Sequence, residues 1–138
     1  MAIDFSLSPD GTADGRLDPD DLLGRVAMSG DHGGIVEDSV YLDDWFKAVA
    51  SACARLRAGE SDFEIDLADE PVALRFLRDD SGLRIEHDAQ WLRFADAGRL
   101  ERELVDAVGR LLALLREAVP DKSVAGLRSL EDFVAARR

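Results

Sequence analysis

The stretch from Phe63 to Phe94 leaves this chain few folds to choose from. Apolar residues recur at every second position, at 63, 65 and 67, at 72, 74 and 76, at 83 and 85, and at 92 and 94. That is the period of a strand with one face buried and one face wet. The breaks at Ala68 to Pro71, Asp79 to Gly82 and Asp88 to Gln90 hold Pro, Asp, Ser and Gly, which turn an antiparallel chain. A meander of four strands, or of three with a bent last one, follows. Glu64, Asp66, Arg75, Arg84, Glu86 and Arg93 fall on its wet face and can pair across strands.

The rest of the chain supplies the cover. Asp43 and Asp44 open a helix that runs to Ala58, where Gly59 suits a left-handed cap. Trp45, Val49, Ala52, Cys53 and Leu56 make its apolar stripe. A longer helix spans Ala97 to Val119, with Leu100, Leu104, Val108, Leu111 and Leu115 as its buried face, widened by Val105, Leu112 and Leu114. A last short helix follows Ser129, with Asp132 as its capping-box partner, and docks through Leu130, Phe133 and Val134. Arg137 and Arg138 are expected to fray into solvent. Before the first helix, Ile3 to Leu7 reads as an edge strand or a loose lead, and Leu22 to Tyr41 as two strands around a Gly-rich turn. Strands in blocks rather than alternating with helices define an α+β domain. Its plan is an antiparallel β-sheet with two main helices packed on one face plus a short C-terminal helix. Residues 1–138 form one domain, with 1–21 as a loose lead.

Charge narrows the function. The net charge is −12, and only two of the 17 basic residues are Lys, which argues against nucleic-acid and anionic-membrane partners. Residues 1–44 hold 11 Asp and Glu against Arg16 and Arg25, so most of the imbalance sits in the first third of the chain. A basic partner suits that surface, although a solvated acidic face also serves solubility alone. With no membrane-length apolar run and no basic, hydrophobic leader, the expected location is the cytoplasm.

No motif for catalysis stands out: no nucleophile elbow, no His or Cys metal spacing, no phosphate-binding fingerprint. The expectation is a binding protein without a cofactor and not an enzyme. The one metal-like pattern runs from Asp10 to Asp21, where oxygen ligands at positions one, three, five, nine and twelve follow the plan of a calcium loop. Asp21 in place of a bidentate Glu, Thr12 at position three, and the lack of an entering helix and of a second copy favour an ordinary Asp/Gly loop. Gly30 to Gly34 lacks the Lys-Ser/Thr and the helix a phosphate loop needs. His32 reads as a solvated turn residue, His87 as a strand end beside Glu86 and Asp88, and the lone Cys53 as a small buried hydrophobe.

Three stretches, Asp21 to Val26, Val40 to Phe46 and Phe63 to Pro71, give the region 20–118 a layout that resembles the immunity proteins of bacterial polymorphic toxin systems. The resemblance implies a protein that neutralises a cognate toxin domain by occluding its active site, monomeric when free and one-to-one in the complex. An acidic surface would steer onto a basic active-site cleft while apolar anchors hold the complex. The candidates for that surface are Asp31, Glu37, Asp38, Asp43 and Asp44, grouped at the strand-to-helix junction, with Tyr41 as an anchor. Asp43 and Asp44 also suit plain helix capping. The alternatives are an acidic secretion chaperone for an effector protein, whose type III form would begin with a helix, and an interaction domain with no antagonistic role.

Overall fold

The computed structural model describes residues 2–7, 22–68, 70–118 and 127–137. Among these, the chain runs β1 (Ile3–Leu7), β2 (Leu23–Ser29), β3 (His32–Tyr41), α1 (Leu42–Arg57), β4 (Asp62–Ile65), β5 (Leu74–Asp79), β6 (Gly82–His87), β7 (Gln90–Phe94), α2 (Gly98–Ala118) and α3 (Arg128–Arg137). The strands make one seven-stranded sheet in the order β1-β2-β3-β7-β6-β5-β4, antiparallel throughout. This is the α+β architecture expected from the sequence, and β4 to β7 form the four-stranded meander.

Alternation puts Ile3, Val26, Met28, Ile35, Phe63, Leu74, Phe76, Leu83, Ile85, Leu92 and Phe94 on the inner face, all buried. Against them pack Trp45, Phe46 and Val49 of α1 and Leu100, Leu104, Val108 and Leu111 of α2, also buried. Phe63 stacks on Phe76 at 5.3 Å across the β4 to β5 pair, and Phe5 meets Phe46 edge-on at 5.7 Å. Fully burying each such aromatic contributes on the order of 2–3 kcal/mol. The outer face keeps its charges in water, where Arg75 lies between Asp62 and Glu86, and Arg84 bonds Glu86 at 2.8 Å.

Four details differ from the sequence reading. β4 ends at Ile65 and β5 begins at Leu74, because the ladder between them runs only from Asp62↔Leu77 to Ile65↔Leu74. Leu67 is still buried outside the ladder, whereas Val72 lies beyond the last pair and is exposed. Leu114 sits at the margin of the α2 stripe and is exposed as well. α3 starts at Arg128, so Ser129 lies inside its first turn rather than at its cap. Arg137 does not fray: its guanidinium bonds Glu101 at 2.6 Å and lies 4.0 Å over the Phe133 ring. Arg57 of α1 donates to both oxygens of Glu101, at 2.9 and 2.6 Å, so one carboxylate ties three helices together. The Arg57 hydrogen bond, with help from Arg137, holds the Glu101 carboxyl below its usual range.

A candidate protein-binding site at the end of β3

β3 is the longest strand, and its two edges are used unequally. β2 pairs with it from Gly34 to Tyr41, whereas β7 pairs with it only from His32 to Gly34. Past that point the two strands part, and side chains fill the gap. Gln90, the first residue of β7, accepts the Val36 N–H at 2.8 Å and donates to the Val36 carbonyl at 3.1 Å, so its carboxamide replaces a peptide group. The same amide donates to the Glu37 carboxylate at 2.7 Å, and His87 Nδ1 donates to that carboxylate at 2.9 Å. A carboxylate only accepts, so Nδ1 carries the proton in this contact. Nε2 of His87 is buried with no hydrogen-bond partner among the described residues, and the imidazole lies edge-on to Trp45 at 5.3 Å. The Trp45 indole in turn donates to the Met28 sulfur at 3.3 Å.

One residue later β3 bulges. Val26 faces Glu37 but Gly24 faces Val40, so β3 spends one more residue than β2 over this interval. Ser39 absorbs the extra residue in the left-handed region, at φ 58°, which for a residue other than Gly costs on the order of 1 kcal/mol. The bulge resets the alternation. Ile35 and Val40 are both buried and Glu37 is half-buried, while Asp38, Ser39 and Tyr41 are exposed. Strict alternation from Ile35 would instead bury Ser39 and expose Val40. Gly24 opposite the bulge is obligatory by space, since a Cβ there would collide with the Ser6 carbonyl oxygen.

The six residues singled out in the sequence divide accordingly. Asp38 stands on the bulge, with 79% of its side chain exposed, and Arg25 lies 3.5 Å away across the ladder. Tyr41 is the N-cap residue of α1, is 37% exposed and makes no side-chain capping bond. Asp43 and Asp44 follow in the first helical turn, where the dipole favours negative charge. Asp44 also interacts within the chain. Glu37 reaches the same end of the strand but is turned inward onto His87 and Gln90. Asp31 is not part of this group. It sits in the β2 to β3 turn, about 30 Å away along a ten-residue strand. There it receives the Ala95 N–H at 2.8 Å and the Arg99 guanidinium, docking the turn onto the start of α2.

Three features of this region are absent from the sequence reading. Trp91 and Val36 point to the uncovered face of the sheet and are each 39% exposed; Arg84 lies 4.5 Å over the Trp91 ring. The burial of Leu92 and Phe94 already implies an outward Trp91, but the placement of Val36 beside it needs the β3 to β7 pairing. Gln90 as a substitute peptide has no local signal at all.

Elsewhere the chemistry is sparse. Among the described residues no group of three His, Cys, Asp or Glu is placed to hold a metal ion, and no helix is long and apolar enough to cross a membrane. The Asp10 to Asp21 loop lies outside the described residues. A cavity of about 160 Å³ between α1 and α2 is lined by Cys53, Leu56, Arg57, Arg78, Ala97, Gly98 and Glu101, and wider, more open clefts of about 350, 440 and 600 Å³ lie elsewhere on the surface. Burial, with a lesser push from Glu101, raises the Cys53 thiol to about 12, so at neutral pH it is an un-ionised packing group. Comparison of the chain with protein-family models, with curated proteins and with solved structures finds no match.

Proposed function

We propose that this chain is an inhibitory binding protein that neutralises a cognate bacterial toxin domain by occluding a basic active-site cleft. The observation that carries the reading is the composition of one end of β3. Asp38, Tyr41, Asp43 and Asp44 gather there on a strand and a helix that share a bulged, cross-bonded corner. The Leu42 N–H also donates to the Leu22 carbonyl at 3.0 Å, which fastens the start of α1 to the residue before β2 at this corner. Carboxylates of this kind speed encounter with a cationic cleft, and an exposed Tyr supplies an anchor of the type that dominates interface energies. The partner is a protein, the free chain is a monomer, the complex is one-to-one, and the chain itself catalyses nothing.

A second reading, a secretion chaperone, draws on the uncovered sheet face with its exposed Trp91 and Val36. One experiment separates the two. The tagged protein is used at low salt to capture partners from the bacterium that encodes it. The captured domain is then expressed alone and assayed for toxicity and for activity with and without an equimolar amount of this chain. The toxin reading expects a one-to-one complex with a basic domain whose activity is abolished on mixing. A dimer of this chain bound to a flexible segment of a secreted protein, with no activity to inhibit, would replace it by the chaperone.

A further inference from the structure

The outer edge of β3, the one turned away from β2, is unfinished. β7 covers it as far as Gly34, and the Gln90 carboxamide extends the cover over Val36. From Asp38 to Tyr41 no strand lies beside it among the described residues, and Asp38, Ser39 and Tyr41 are exposed. An open edge of this kind presents backbone donors and acceptors that another strand can pair with. Most sheet edges protect themselves with a charge or a bulge, and this one carries both, so its occupant must suit them.

Two further observations say what that occupant is. Among the described residues five large apolar side chains are exposed, and three of them, Val36, Tyr41 and Trp91, project from β3 and from the strand it pairs with. Tyr and Trp are the residue types that most often anchor protein interfaces. The charge around the edge is negative: Asp38 on the strand, Asp43 on the helix that follows, and the exposed Asp88 in the turn between β6 and β7. Of the nearby cations, Arg25 pairs with Asp38 and Arg84 with Glu86, and Lys47 lies one helical turn after Asp43.

We infer that an extended, basic segment of a partner polypeptide adds as a strand along the outer edge of β3 between Asp38 and Tyr41. Its backbone pairs with the open edge, its apolar side chains lie on Tyr41, Val36 and Trp91, and its cations meet Asp38, Asp43 and Asp88. The contacts of Gln90 and His87 with β3 hold the edge in place before the partner arrives, which lowers the ordering cost of binding. The identity of the partner rests on the toxin reading above; the mode of docking does not.

The test uses the full chain, labelled with nitrogen-15, and three blocked synthetic pentapeptides. One alternates Lys and Val, the second is the same peptide N-methylated at alternate amides so that it cannot pair as a strand, and the third alternates Glu and Val. The Lys/Val peptide is expected to shift the amide resonances of 36–41 and 88–91 and few others. The N-methylated and Glu/Val peptides are each expected to bind about tenfold more weakly, and Asp38→Lys is expected to weaken the Lys/Val peptide alone. Equal binding of the N-methylated peptide, shifts centred elsewhere, or none at millimolar peptide would overturn strand addition. A concentration-dependent dimer that protects the same amides would assign the edge to a second copy and overturn it too. If capture yields an inhibited toxin while the N-methylated peptide binds equally, the docking mode fails and the toxin reading stands.

Discussion

Glu37 and His87, 50 residues apart in sequence, are joined at 2.9 Å across the gap where β3 and β7 part. Glu37 is thereby withdrawn from the acidic surface that its position in the sequence predicts for it, and becomes the brace that holds that surface in shape. Removing the carboxylate leaves the His87 Nδ1–H without its acceptor and takes one of two acceptors from Gln90. Glu37→Ala is therefore expected to cost about 2 kcal/mol in urea denaturation. His87→Phe is expected to cost less, because the half-buried carboxylate keeps Gln90 and can reach water. The double variant should cost less than the sum of the two, with a coupling of at least ~0.5 kcal/mol. Additive losses would show that the pair does not act as a unit.

Ser39 at φ 58° marks the bulge. Ser39→Gly removes the steric cost of the left-handed region but adds freedom to the unfolded chain, so its stability should stay within about 0.5 kcal/mol of the parent. Ser39→Val should lose roughly 1–2 kcal/mol, since a β-branched side chain fits that region worst. A well-tolerated Val would mean that the strand realigns without the bulge, which the amide pattern of 36–41 would reveal.

The buried Cys53 thiol makes stability fall with pH in the alkaline range. Its folded value of about 12 lies above the ordinary 9.0, so between these values the unfolded chain has lost a proton that the folded chain still holds. The thiol's contribution is full below pH 9 and is lost progressively as pH rises toward 12, at up to about 1.4 kcal/mol per pH unit. Comparing urea curves of the parent and Cys53→Val from pH 8 to 10.5 should show the extra slope in the parent only. The thiol should also resist an aromatic disulfide reagent at pH 8 until urea opens the fold.

Glu101 holds Arg57 and Arg137, and its carboxyl is depressed chiefly by the Arg57 hydrogen bond. A depressed carboxyl gives stability that is present above its unfolded value and lost as pH falls through the folded one. The protection factors of the α3 amides should therefore fall in acid. Glu101→Gln should lower them at neutral pH and leave the β4 to β7 amides protected. Protection of α3 unchanged by the substitution would show that Leu130, Phe133 and Val134 suffice to dock it.

Asp38 and Asp43 are the carboxylates best placed to steer a basic partner. Reversal of both to Lys should slow association with the captured partner about tenfold at low salt and flatten its salt dependence. The same reversal should cost about 1 kcal/mol while leaving the chain folded, because Asp43→Lys opposes the α1 dipole and Asp38→Lys faces Arg25. Asp31→Lys, at the far end of β3, should leave the association rate untouched and instead loosen the turn from Arg99 and Ala95. Equal slowing by both would place the steering surface across the whole molecule rather than at this end.

By itself the sequence determined the elements and the fold class, because those depend on signals a few residues long. Leu83, Ile85, Leu92 and Phe94 alternate whatever lies beside them, and the stripe from Trp45 to Leu56 can face a core only as a helix. It also placed Asp38, Tyr41, Asp43 and Asp44 together, since they are close along the chain. Tertiary structure alone decided which charges are free. A strand converts ten residues of sequence into about 30 Å, which carried Asp31 away from the group. The bulge shifted the facing of β3 by one residue, so Glu37 and Val40 share a side that alternation would have divided. Arg137 was held by a carboxylate 36 residues distant, as Glu37 was held by His87. Alternation is written into neighbouring side chains, whereas register and strand order are settled by contacts between residues far apart.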